Sequence, residues 1–183
     1  RAPDLPEGLE LLFPSVKKVY GQEEVRKDAE AFFALPDMEE GSRAFCINGV
    51  KGSGRQYLME QVCAAERLPL LLADADVFRC GPRGLNEAVL CVRLYGAFPC
   101  VKMGKEGQER ILQNFASCFG AFGILKDQGT ELDGVPECPV IVRELSAPDR
   151  RLRKQMAEDV LGDLAGRLPA GQGIDHAARQ QLP

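Results

Sequence analysis

The stretch Ala44-Phe45-Cys46-Ile47-Asn48-Gly49-Val50-Lys51-Gly52-Ser53-Gly54-Arg55-Gln56-Tyr57-Leu58-Met59 decides how the chain reads. Its first five residues form a short apolar run that stops abruptly at glycine, the signature of a buried parallel strand feeding a loop. From Arg55 to Glu66, Leu58, Met59, Val62, Cys63 and Ala65 recur at helical spacing, and Pro69 follows the end of the stripe. Strand, glycine loop and helix are thus consecutive. In such a loop the missing side chains let successive backbone N–H groups turn inward around an anion, and the positive end of the following helix assists.

The spacing of Gly49 and Gly54 matches the phosphate-binding pattern G-x-x-x-x-G-K-[ST], with Gly52 between them. Two positions depart from it. Arg55 stands where the lysine reaches the terminal phosphates, and Gln56 stands where a hydroxyl binds the metal ion. Arginine keeps the charge but is larger and planar, so it grips phosphate oxygens from a different position. Glutamine is no clean replacement for the hydroxyl.

Outward from the loop, strands and helices alternate. Upstream, prolines 3, 6 and 14 make an irregular opening, and Glu23 to Ala34 carries Val25, Ala29, Phe32 and Phe33 at helical spacing. Downstream, Leu70 to Ala73 reads as a second strand and Leu85 to Tyr95 as a helix with Leu85, Ala88, Val89, Val92 and Tyr95 inward. Ala97 to Met103 is a third strand, and Glu109 to Phe119 a helix with Ile111, Leu112, Phe115, Ala116 and Phe119 inward. Phe122 to Leu125 and Pro139 to Leu145 supply the fourth and fifth strands. This alternation implies an α/β fold, a parallel sheet with helices on both faces. From Ser146 the pattern changes to a long amphipathic helix entered at Ser146-Ala147-Pro148-Asp149, followed by a short helix over Gly173 to Gln181. The expected division is residues 1–147 and a helical appendage over 148–183.

Composition excludes several classes. With a formal net charge of −4 and 27% charged residues, the chain has no global positive field, so direct nucleic-acid binding is disfavoured. No apolar run approaches the roughly 18 residues of a membrane helix, and no signal peptide opens the chain, so a cytoplasmic setting is expected. Arg1 and Pro183 read as the cut ends of a longer protein. The seven cysteines are scattered without CxxC spacing and read as reduced core thiols, and His176, the only histidine, offers no metal site. Asp74 and Asp76 read as turn caps, and Arg150-Arg151-Leu152-Arg153-Lys154 as a solvated helix face.

Val19-Tyr20-Gly21-Gln22, ahead of the loop, resembles the "hydrophobic, hydrophobic, Gly, Gln" motif of AAA+ ATPases, and Gly171-Gln172-Gly173-Ile174-Asp175 resembles the turn of that family's helical lid. The likeness runs from about Leu11 to Leu182, and Asn86-Glu87-Ala88 with Gly96-Ala97 is similar to a passage in bacterial members. It implies a three-layer α/β/α P-loop NTPase fold, five parallel strands in the order 5-1-4-3-2, with a small helical lid. It also implies an adenine-nucleotide site, for ATP or ADP, built from Val19, Tyr20, Gly49, Lys51, Gly52, Ser53, Gly54, Arg55, Gln56, Tyr57 and Lys102. Partners implied are other AAA+ subunits or other domains of a longer chain.

The departures from the family are concerted. Its third strand ends in an acidic pair that serves magnesium and the attacking water; here the strand ends Val101-Lys102-Met103-Gly104. The polar sensor falls at Lys126 or Asp127, and Asp175 replaces the lid arginine. The expectation is a degenerate module that binds nucleotide with weak or no hydrolysis, with no catalytic or metal-ligating residue assigned. Lys102 either stands in for magnesium's charge or is a solvated residue at the strand end. An active ATPase with displaced catalytic residues is the alternative.

Overall fold

The computed structural model describes residues 5–36, 38, 40–78, 81–103, 108–129 and 138–167. Two compact units divide it, Arg1–Ala147 and Pro148–Pro183.

The first unit is built on a six-stranded sheet. Its strands are β1 (Leu9–Leu12), β2 (Arg43–Gly49), β3 (Leu70–Asp74), β4 (Phe98–Lys102), β5 (Ala121–Asp127) and β6 (Val140–Leu145), ordered β1-β3-β4-β5-β2-β6. Read from the β6 edge, the five parallel strands follow the expected 5-1-4-3-2 order. The sheet differs from expectation at its other edge. Leu9–Leu12, read as part of an irregular opening, is a sixth strand and runs antiparallel to β3, with Leu9 opposite Ala73 and Leu12 opposite Leu70. Four residues between prolines give too short a run for alternation to show, yet Leu9 and Leu11 are buried and Glu10 is exposed, as a half-covered edge strand requires.

Alternation along the central strands feeds two cores. Phe45, Ile47, Leu70, Leu72, Phe98, Cys100 and Leu125 face one side, against α1 (Glu23–Phe33) and α2 (Arg55–Ala65) through Val25, Phe32, Leu58, Met59 and Val62. Ala44, Cys46, Leu71, Ala73, Val101, Phe122 and Ile124 face the other, against α3 (Arg83–Tyr95) and α4 (Gln108–Cys118) through Ala88, Cys91, Ile111, Leu112 and Phe115. The result is three layers, as the strand-helix alternation dictates. Tyr95 departs from its expected inward position: it is exposed and meets Phe13 edge-on, while Cys91 fills the core on that helix.

Six cysteines lie among the described residues, all with free thiols and all buried except Cys118. In the second unit, α5 (Arg150–Arg167) begins where Asp149 Oδ1 accepts a hydrogen bond from Leu152 N at 2.7 Å, a side-chain cap on the helix start. Its residues Met156 and Leu161 are exposed. The short helix expected over 173–181, the Gly171 to Asp175 turn, His176 and Cys80 lie outside the described residues. No described helix is long and apolar enough to cross a membrane.

Candidate phosphate-loop site

All five parallel strands point their carboxyl ends at the same edge, and the loop Gly49–Gly54 leaves β2 there. Ser53 N donates to Val50 O at 3.1 Å, folding the loop into a tight turn. Gly52 and Gly54 have φ of 84° and 88°, left-handed values that a Cβ would strain. Gly54 is also the cap of α2, and no side chain caps that helix. The first N–H groups of a helix have no intrahelical acceptor, so this terminus presents them to whatever occupies the loop.

The side chains around the loop make a cleft of about 410 Å³ lined by Gly52, Gly54, Arg55, Gln56, Tyr57, Lys102, Met103, Leu125 and Asp127. Six of the eleven nucleotide-site residues named from sequence therefore line one cleft. Gly49 and Ser53 do not line the cleft: both are buried, and a Cβ on Gly49 would lie 2.6 Å from Ser53 Oγ. Ser53 Oγ and Asn48 Oδ1 are buried without a hydrogen-bond partner among the described residues. Lys51 is exposed and does not line the cleft. Val19 packs against the α2 core, and Tyr20 lies under Lys18 Nζ, 4.9 Å from its ring centroid.

The segment carrying Val19 and Tyr20 is tied to α2 by two side chains. Tyr57 Oη donates to Lys18 O at 2.7 Å. Gln61, 4% exposed, accepts from Lys17 N and donates to Ser15 O at 3.3 Å. Gln61 was invisible in the sequence as a site residue, because a single polar position beside an apolar stripe reads as a surface residue.

Charges in the cleft are paired. Arg55 Nη2 lies 2.5 Å from Asp127 Oδ1, across the mouth of the loop. Lys102 Nζ lies 3.1 Å from Asp74 Oδ1, so the lysine at the end of β4 bridges to the end of β3. Gln56 Nε2 donates to Glu60 Oε1 at 2.9 Å, one turn along its own helix. Of the two sensor positions named from sequence, Asp127 lines the cleft and Lys126 is buried. Lys102 and Met103 also line an adjoining cavity of about 790 Å³, with Asp74, Asp76 and Arg83 on its walls.

This donor set suits phosphate and does not suit magnesium. Phosphate is offered a guanidinium, an ammonium and an uncapped helix terminus. Magnesium needs hard oxygen ligands in octahedral array, but among the described residues the cleft's one carboxylate, Asp127, is taken by Arg55, no hydroxyl follows Arg55, Gln56 is turned onto Glu60, and β4 ends in an ammonium.

No family model matches the sequence, and no curated protein matches it. Solved structures do. The chain is similar to the AAA domain of FIGL-1, in complex with ADP, over 86% of this chain and 64% of that one, at 12% identity and a TM-score of 0.59. This chain has the AAA-domain fold. A katanin structure describing self-assembly agrees, with 84% and 62% covered, 12% identity and a TM-score of 0.58. The chain thus spans less than two thirds of either neighbour. Within the AAA-domain fold, the Gly49–Gly54 loop stands at the sheet edge where open α/β sheets collect ligands.

Proposed function

We propose that this chain is a degenerate AAA+ module that binds ADP or ATP at the Gly49–Gln56 loop without a magnesium requirement, hydrolyses it weakly or not at all, and serves as a regulatory or assembly part of a larger protein. The observation that carries the reading is the end of β4, where Lys102 pairs with Asp74 beside a loop that keeps its left-handed glycines and open helix terminus. Phosphoryl transfer depends on metal charge and a positioned water to stabilise the transition state. Among the described residues the cleft holds two cations, and its one carboxylate, Asp127, is paired with Arg55, which supports binding of phosphate charge without supporting that chemistry. The ADP held by the FIGL-1 domain and the self-assembly of katanin support the ligand class and the assembly role. In this reading Tyr57 and Gln61 hold Val19 and Tyr20 toward the base, and residues 148–183 are the start of a helical lid.

Calorimetric titration with ADP and ATP, in magnesium and in chelator, tests the binding. Comparable affinity in both conditions is expected, together with no phosphate release above buffer. A strong magnesium requirement with turnover that falls on Arg55→Ala would instead establish the active-ATPase alternative. No heat in any condition would remove the nucleotide and leave a scaffold.

A further inference from the structure

The Arg55–Asp127 pair is asymmetric. The arginine side chain is 16% exposed and the aspartate side chain 55% exposed. A guanidinium this far removed from water needs acceptors that replace its hydration, and here the Asp127 carboxylate supplies one. Its partner is the opposite case: a carboxylate at the end of β5, half in solvent, that loses little by turning outward. The pair spans the loop mouth, and Arg55 occupies the position of the phosphate-binding lysine in the loop pattern. A carboxylate and a phosphate are alternative acceptors for one guanidinium fork.

We infer that Asp127 is a built-in competitor for the loop: its carboxylate occupies the Arg55 fork in place of a phosphate, and it sets the affinity for a polyphosphate by having to be displaced. The inference rests on the phosphate-binding reading above and adds the residue that controls it. Binding then exchanges one ion pair for another. The loop holds only ligands whose charge and oxygen count exceed what a single carboxylate offers, which favours di- and triphosphates over monophosphates. Lys102 and Asp74 form a similar pair across the neighbouring strands β4 and β3, with side chains 36% and 51% exposed, but there the cation is itself solvated and demands less of its partner.

Removing the competitor should tighten polyphosphate binding by roughly five- to tenfold, the equilibrium weight of a partly exposed ion pair with good geometry. The test uses the 183-residue chain, titrated calorimetrically at low salt in chelator with sodium pyrophosphate and separately with ADP. Asp127→Asn is compared with wild type, with Arg55→Ala/Asp127→Asn, and with Glu144→Gln. The last removes the same charge from an exposed carboxylate bonded to Gln128 rather than to Arg55. The expected result is tighter pyrophosphate binding to Asp127→Asn, a gain lost in the double variant, and a change under about twofold for Glu144→Gln. Thermal melts of each variant check folding; Asp127→Asn keeps an amide oxygen that can accept from Arg55, so it should still unfold cooperatively, at or slightly below the wild-type melting temperature.

Equal affinity of wild type and Asp127→Asn overturns the inference, as does a gain that survives Arg55→Ala, which would mark general repulsion instead of competition. ADP separates the two readings. If wild type binds ADP and Asp127→Asn binds it equally, the proposed function stands and the competitor falls. If pyrophosphate behaves as expected and ADP binds no tighter than pyrophosphate, the competitor stands and the adenine site falls. No binding of either ligand to any variant overturns both.

Discussion

Replacing Gly54 by alanine isolates the backbone geometry on which the loop depends. Gly54 has a φ of 88° at the start of α2, and a Cβ added there meets nothing within 4 Å. The cost is therefore conformational, with no steric part, and the left-handed region costs a side-chain-bearing residue about 1–2 kcal/mol. Gly120 is the matched control. A Cβ there also meets nothing within 4 Å, but Gly120 is absent from the positive-φ glycines, so alanine only restricts the unfolded chain. That substitution should stabilise by about 0.4–1 kcal/mol. The two variants thus differ in sign. At about 2–4 °C per kcal/mol for a domain of this size, their melting temperatures should be separated by roughly 3–12 °C, with wild type between them. Gly54→Asn should fall nearer wild type than Gly54→Ala, because asparagine tolerates the left-handed region. Differential scanning calorimetry of the four proteins is the assay, with pyrophosphate titration to follow the loop. If Gly54→Ala melts with or above Gly120→Ala, the loop does not hold the left-handed geometry assigned to it, and the phosphate-cradle argument loses its basis.

Gln61→Leu should destabilise the first unit by about 1–3 kcal/mol in urea denaturation and increase proteolysis near Ser15 to Tyr20, since the buried amide holds that segment by two hydrogen bonds; unchanged cleavage would show the segment is held elsewhere. Burial pushes the Cys46 and Cys63 thiols up to about 12 from 9.0, with Glu60 and Glu66 adding to the rise at Cys63 and Lys126 and Arg55 opposing it at Cys46. Below pH 9 the thiols are neutral in both states; between 9 and 12 only the unfolded chain ionises, so stability falls as pH rises by about 1.4 kcal/mol per unit per thiol. Urea denaturation from about pH 8 to about pH 10 should show this decline, and Cys63→Ala should make it shallower; an identical slope would refute the assignment. Arg67 closes α2 at a φ of 57°, with Arg67 N donating to Ala64 O and Leu68 N to Cys63 O. Glycine is the usual residue at that place, so Arg67→Gly should raise stability by about 0.5–1 kcal/mol, measured by the shift in urea midpoint.

Much of this fold is legible in the sequence. The apolar run Ala44 to Asn48 could be read as a buried strand because burial on both faces removes polar alternation, and Gly49, Gly52 and Gly54 could be read as a loop because their spacing has a backbone reason. The helices declared themselves through a period near 3.6, and the five parallel strands took the order that the family resemblance implied. Leu9–Leu12 was not legible as a strand, since an edge pairing of four residues is decided by the partner β3 and not by its own pattern.

The difference is one of range. Local sequence determined which segments are strands and helices, where the loop lies and which loop residues are substituted, because periodicity, turn geometry and motif spacing act over a few neighbouring residues. The charge pairing was decided only by the tertiary structure. Arg55 and Asp127 are 72 residues apart in the chain, and they meet because β5 lies beside β2 and ends at the same edge. Lys102 meets Asp74 because β4 pairs with β3 in register. Gln61 reaches Lys17 across 44 residues. Sequence alone could say that a glycine loop with phosphate-binding spacing carries Arg55 and Gln56 where that pattern has a lysine and a hydroxyl; only the packing of the sheet could say that Arg55 already holds a carboxylate.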